Sequence, residues 1–130
     1  MSNSKIQIFI IFILLGWILY DGCYYDNVIV NDVEDFSGDI SFNNDIIAIF
    51  NKDCNTSGCH NSGGTKPDLS PAEAYNSLTN GNYINTEVPE QSELYQWMKG
   101  NKATPMPVSG SNAQYNAKVL AWIKQGSLNN

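Results

Sequence analysis

The heptapeptide CNTSGCH, residues 54–60, concentrates the side chains of this chain that are best suited to chemistry. It holds two of the three cysteines, Cys54 and Cys59, and the second is followed directly by His60, the only histidine among 130 residues. Thiolates and neutral imidazoles ligate metal ions, and thiols also form covalent bonds to carbon or to each other. The spacing C-x-x-x-x-C-H therefore predicts a metal, cofactor or disulfide site.

Most sites built from cysteine and histidine need more donors than this segment offers. Structural zinc takes four ligands and iron–sulfur clusters take four cysteines, whereas the segment supplies three donors and Cys23 lies far from it near the N-terminus. A cysteine–histidine hydrolase draws its nucleophile and its base from distant segments. A disulfide between Cys54 and Cys59 suits an exported protein, but it closes only a small loop and leaves His60 without a role. Covalent haem attachment uses all three residues, since two thiols add to the vinyl groups and the adjoining histidine ligates the iron.

With this motif the chain resembles the class I c-type cytochromes, in particular the small monohaem lipoprotein cytochromes of bacteria, over roughly residues 41–130. The usual family motif is C-x-x-C-H, so this chain departs from it by two additional residues between the cysteines. The resemblance implies one haem c, held covalently by Cys54 and Cys59 and ligated by His60. It also implies an all-α, cytochrome c-like fold in which about four short helices and long loops wrap around the haem.

Met106 is the second iron ligand that the resemblance implies. It lies in ATPMPVSG, where the family has a methionine–proline pair before its last helix, and the flanking prolines restrict the loop to extended conformations. We expect Met98, on the apolar face of a helix, to pack in the core. Pro67 and Leu69 match the proline-containing stretch that follows the haem motif. We expect the Pro67 carbonyl to accept a hydrogen bond from the proximal histidine and Leu69 to contact the haem.

Four segments have the apolar spacing of amphipathic helices, and none shows the alternation of a strand. The helices are predicted at 43–53, from a Ser70-Pro71-Ala72-Glu73 capping box to Gly81, at 92–99 with Ser92 as the cap, and at 112–125. Aromatic residues of these helices are expected to pack around the porphyrin: Phe50, Tyr75, Trp97, Tyr115 and Trp122. Trp122 and Ile123 also resemble the family's contact between the last helix and the first.

The N-terminal part predicts export and a membrane tether. An apolar run at 8–20 follows Lys5, and its helical length of ~20 Å is short of the ~30 Å hydrocarbon core. We therefore interpret 1–22 as a signal peptide, with an uncleaved anchor helix as the alternative. LYDGC resembles a bacterial lipobox, which implies acylation of Cys23. Residues 23–40 then form a lipidated N-terminus and acidic tether, and 41–130 form a cytochrome c domain on the periplasmic or cell-surface side.

The charge balance limits the classes of partner. Seven lysines, no arginine and a net charge of −6 argue against nucleic-acid binding and are compatible with redox partner proteins that carry a cationic docking patch. Because nothing suggests a pocket for a small-molecule substrate, we expect a one-electron carrier rather than an enzyme. Two alternatives stay open. One is a peroxidase or gas-binding haem protein with an open sixth iron position; the other is a structural lipoprotein or subunit stapled by haem or by a disulfide.

Overall fold

A computed structural model of the chain describes Phe36 and residues 38–130. The predicted signal peptide at 1–22, the predicted lipidation at Cys23 and most of the predicted tether lie outside the described residues. The described part contains no strand, which confirms the all-α class for it. Its elements are a π-helical turn Phe42–Ile46, α1 Ile47–Asp53, α2 Ala74–Asn80, a 3₁₀ turn Pro89–Gln91, α3 Glu93–Lys99 and α4 Ala113–Lys124.

None of the helices in this described part is long and apolar enough to cross a membrane.

The π-helical turn and α1 together form the first helix, which leads the chain directly to the heptapeptide. At its start the Ser41 hydroxyl accepts the Asn44 N–H at 3.2 Å, while the Asp45 carboxylate accepts the Ser41 N–H at 3.0 Å. This reciprocal pattern satisfies two N–H groups that have no partner within the helix. The π-helical turn continues into α1, where the Cys54 N–H donates to the Phe50 carbonyl at 2.9 Å. Cys54 therefore lies at the C-terminal end of a helix that is fixed at its other end.

Phe42 is the centre of an aromatic cluster between the first helix and α4. Its ring packs edge-to-face against Phe50 and Tyr75, with centroids 6.4 and 5.3 Å apart, and lies 5.1 Å from the Trp122 ring. Trp122 and Ile123 are fully buried on the inner face of α4. The expected packing of the last helix against the first is thus confirmed.

The capping box predicted at Ser70 is wrong. The Ser70 hydroxyl donates to Asp68 Oδ1 at 2.6 Å, and the Ser70 N–H donates to the same oxygen at 3.0 Å. In a capping box the hydroxyl would accept from a helix N–H, whereas here it donates to an ionised carboxylate, which makes the stronger hydrogen bond. The helix consequently begins at Ala74 rather than at Pro71.

Ser92 precedes α3 as predicted, but its side chain does not cap the helix. The fully buried hydroxyl instead accepts the Asn85 N–H at 2.9 Å and fixes the loop before the helix. Burial accounts for this choice, because the Asn85 N–H would otherwise lack a partner. At the other end, Gly100 adopts φ +84° and ends α3 in the left-handed conformation typical of such glycines.

The packed unit begins before residue 41, although the sequence analysis assigns residues up to 40 to the tether. Ile40 is buried in the core, and its N–H donates to Gln125 Oε1 at 2.8 Å. The Gln125 amide donates in turn to the Gly38 carbonyl at 2.9 Å. This segment is therefore fixed against the end of α4 by side-chain burial and by hydrogen bonds.

Candidate functional site

A cavity of about 540 Å³ lies beside the heptapeptide, within the size range of cofactor sites. Its wall is mostly apolar. The structure brings to this wall every candidate site residue that lies in the described part of the chain: Cys54, Cys59, His60, Pro67, Leu69 and Met106. Residues separated by up to 52 positions in the sequence thus meet in one place.

The heptapeptide forms a surface turn between its two cysteines. The His60 N–H donates to the Cys54 carbonyl at 3.1 Å, and the Cys59 N–H donates to the Thr56 carbonyl at 2.9 Å. Gly58 has φ +81°, a left-handed conformation that glycine adopts without strain. Residues 56–58 are exposed. The long spacing between the cysteines is therefore accommodated by an exposed turn, of which Gly58 reaches the cavity wall beside the two cysteines.

The backbone of the following loop fixes the His60 ring. Nδ1 lies 3.0 Å from the Pro67 carbonyl oxygen and 3.2 Å from the Thr65 carbonyl oxygen. Because a carbonyl oxygen can only accept a hydrogen bond, the proton of a neutral ring belongs on Nδ1. The Nε2 lone pair of that tautomer is free for a metal ion, and the hydrogen bond at Nδ1 fixes the orientation of the ring. The contact expected between His60 and the Pro67 carbonyl is present.

The surroundings of Cys54 favour an uncharged sulfur. Burial, and then the nearby Asp53 and Cys59, raise the pKa of the Cys54 thiol to about 11. The group is therefore a neutral thiol at ordinary pH, which makes it a poor nucleophile and a poor metal ligand on its own. Cys54 and Cys59 are both free in the structure. A thioether carries no charge, so conversion of Cys54 into one is compatible with this burial.

Two methionines line the cavity, and their surroundings differ. Met98 is 3% exposed and belongs to the hydrophobic core, as expected for its face of α3. Met106 is half-buried and lies outside that core cluster. The Met106 N–H donates to the Trp97 carbonyl at 3.2 Å, which ties the loop to the end of α3. The preference for Met106 as a ligand stays a prediction, and its freedom from the core supports it.

The cavity wall contains a charged group that was not predicted from the sequence. Glu93 lines the cavity; one of its carboxylate oxygens accepts the Trp97 indole N–H at 2.8 Å, and the other accepts from the Lys102 ammonium at 2.8 Å. The hydrogen bond from Lys102 lowers the pKa of Glu93. The i, i+4 spacing of Glu93 and Trp97 was the available signal, because it places both side chains on one face of α3.

The aromatic residues predicted to pack the helices divide between the cavity and the core. Phe50 and Trp97 line the cavity. Trp122 packs on Phe42 instead, because the inner face of α4 turns toward the first helix, and Tyr75 of α2 packs on the same ring. Tyr115 is also outside the cavity wall, and the Lys52 ammonium lies 5.7 Å from the centre of its ring.

No group of three or more His, Cys, Asp or Glu side chains in the described part of the chain is arranged to hold a metal ion. Comparison with protein-family models, with curated proteins and with solved structures finds no match to this chain. The cavity must therefore be interpreted from its own residues.

Proposed function

We propose that this chain is an exported c-type cytochrome that carries single electrons on one covalently bound haem c. The observation that carries the proposal is the meeting of four groups in one apolar cavity: two cysteines, a histidine held through Nδ1, and a methionine outside the core. The donor set and the apolar character of the wall suit a haem. A disulfide would use the two cysteines alone and would leave the histidine, the methionine and the cavity without a common purpose.

Each group would have a separate task. Cys54 and Cys59 would hold the porphyrin through thioethers, and His60 Nε2 and the Met106 sulfur would be the iron ligands. When bound, the haem supplies the reversible one-electron change between Fe(III) and Fe(II). Histidine–methionine ligation raises the reduction potential relative to more strongly donating ligand pairs.

The chain's own residues orient the ligands and exclude water. The Pro67 carbonyl accepts from His60 Nδ1 and so fixes the tautomer and the ring plane. Leu69 and Leu94 are almost completely buried and contribute apolar surface to the wall. Such a dry environment disfavours the more highly charged oxidised state, and in this way the protein tunes the potential.

The acidic composition favours redox partners with a cationic docking surface, since the net charge of the chain is −6. Acylation at Cys23 would hold the domain at a membrane, and the residues between Cys23 and Gly38 would then separate the packed unit from the lipid. Neither nucleic acid nor a small-molecule substrate is part of this proposal.

The test is expression with a c-type maturation system, followed by denaturing acid–acetone extraction and an absorption spectrum. We expect the colour to stay with the polypeptide, and a double Cys54→Ser, Cys59→Ser variant to lose it. A sulfur-to-iron charge-transfer band in the oxidised protein should vanish in Met106→Ala and persist in the matched Met98→Ala control. A colourless parent protein would contradict the proposal and favour a disulfide. A coloured parent that lacks the band and binds carbon monoxide would favour the gas-binding or peroxidase alternative.

A further inference from the structure

The loop that carries Met106 has few attachments of its own. It follows α3, and Ala103, Thr104 and Pro105 just before the methionine are exposed. Close to α3, the Asn101 N–H donates to the Gln96 carbonyl at 3.0 Å. Farther along, the Met106 N–H reaches the Trp97 carbonyl at 3.2 Å. Between Asn101 and Met106, the loop is held by an ion pair in which Lys102 Nζ lies 2.8 Å from Glu93 Oε2.

Glu93 therefore connects the cavity wall to this loop. One carboxylate oxygen accepts the indole N–H of Trp97, whose ring lines the cavity and whose carbonyl accepts the Met106 N–H. The other carboxylate oxygen holds Lys102, four positions before Met106. Hydrogen bonds to an ionised carboxylate are stronger than those between neutral groups, so both ties depend on the negative charge.

We propose that Glu93 is a positioning residue, which acts through Trp97 and Lys102 to hold the Met106 loop against the cavity. This inference rests on the proposed function, because it concerns the loop that would supply the distal iron ligand. Glu93 need not touch the iron. Ordering the Met106 loop costs conformational entropy, and the hydrogen bonds to the carboxylate offset that cost. They thereby keep the sulfur at the cavity rather than in solvent.

The ion pair between Glu90 and Lys124 provides a matched control. Its nitrogen–oxygen distance is also 2.8 Å, and Glu90 lies just before α3 but not in the cavity wall. Glu90→Gln therefore removes the same charge and the same kind of contact without touching the loop. If the loss of a surface charge is by itself enough to disturb the structure, Glu90→Gln and Glu93→Gln should show the same disturbance.

The experiment uses the full haem-loaded protein and two measurements. The first is the rate at which carbon monoxide binds the reduced protein, because this ligand must wait for the methionine to leave. Relative to Glu90→Gln, we expect Lys102→Ala to raise the rate about fivefold and Glu93→Gln about tenfold or more. Lys102→Arg should restore the parent rate, since it keeps the charge. The second is amide hydrogen exchange of peptides covering 101–106, which should accelerate in the same order.

Equal carbon monoxide rates and equal exchange in Glu93→Gln and Glu90→Gln would overturn the inference while leaving the haem assignment intact. Failure of the proposed function looks different, because the parent protein would then be colourless. In that case hydrogen exchange still decides whether Glu93 and Lys102 hold the loop. Faster exchange confined to the Glu93 and Lys102 variants supports the positioning role, and unchanged exchange refutes it.

Discussion

The Nδ1 atom of His60 lies 3.0 Å from the carbonyl oxygen of Pro67. The acceptor belongs to the backbone, so the orientation of the ring depends on the path of the loop rather than on a second side chain. The loop is held in turn by the Leu69 N–H, which donates to the His60 carbonyl at 2.7 Å, and by the Thr65 N–H, which donates to the Cys59 carbonyl at 2.8 Å. The cysteine, the histidine and the loop thus fix one another.

Replacing His60 with glycine should separate ligation from attachment. The proposed haem should remain covalently bound, because Cys54 and Cys59 are unchanged, but its iron should lose the ligand that we propose for it. Added imidazole should occupy the vacated space and restore the low-spin spectrum of the parent, which an absorption titration measures. The control Asn61→Ala, one residue away, should show the low-spin spectrum of the parent without added imidazole. A variant whose spectrum matches the parent before any addition would show that His60 is not an iron ligand.

The exposed turn between the cysteines should be sensitive to backbone conformation alone. Gly58 has φ +81°, and a methyl group added there would meet no atom within 4 Å. Gly58→Ala should therefore lower the free energy of unfolding by about 1 kcal/mol through left-handed strain, with no steric clash. Gly38→Ala is the control, because that site is equally open and lacks a positive φ. Urea denaturation measures the stability of both variants. Equal midpoints for Gly58→Ala and Gly38→Ala would show that the turn accommodates alanine without strain.

The hydrogen bond between His60 and Pro67 could be predicted from the sequence, because a single strong requirement decided it. A lone histidine next to a cysteine pair needs an acceptor for its second nitrogen, and a proline shortly afterwards offered a carbonyl at a suitable distance. The inner face of α4 was equally predictable, because only the 3.6-residue period buries Trp122 and Ile123 together.

Competition between partners limited the rest of the prediction. Ser70 had two acceptable roles, and the buried carboxylate of Asp68 prevailed over the helix end. Tyr75 and Trp122 could have faced the cavity or Phe42, and their sequence spacing is the same in either arrangement. Ile40 follows a run of acidic residues that predicts a tether. Its N–H nevertheless donates to the Gln125 side chain, 85 residues away. Contacts of this kind are set by tertiary packing.

Phe42 should contribute more to stability than any exposed apolar residue. It is 1% exposed and contacts three aromatic rings, so Phe42→Ala should lower the free energy of unfolding by about 3–5 kcal/mol. Leu128→Ala removes a side chain that is 58% exposed and should change it by less than about 0.5 kcal/mol. Denaturation followed by far-ultraviolet circular dichroism gives both values. A small effect at Phe42 would mean that the cluster is not part of the cooperative core.

The ion pair between Asp45 and Lys118 should make stability depend on pH. Lys118 Nζ lies 3.0 Å from Asp45 Oδ1 and joins the first helix to α4, while the Ser41 N–H donates to Oδ2 at 3.0 Å. The hydrogen bond from Lys118 is the main cause that lowers the pKa of Asp45 in the folded state. A carboxyl group with a depressed folded pKa stabilises the fold fully above its unfolded pKa, near 4, and loses that contribution as the pH falls through the folded value.

Asp45→Asn should accordingly lower the free energy of unfolding by about 1 kcal/mol at neutral pH, and the deficit should shrink once the pH falls below about 4. The same deficit should decrease in high salt, because the pair is only partly buried. Urea titrations of parent and variant at neutral and at acidic pH measure the difference. The exposed Asp39, changed to asparagine, should leave stability unaltered at both. A deficit of equal size at both pH values would mean that the shape of the side chain, rather than its charge, holds the first helix to α4.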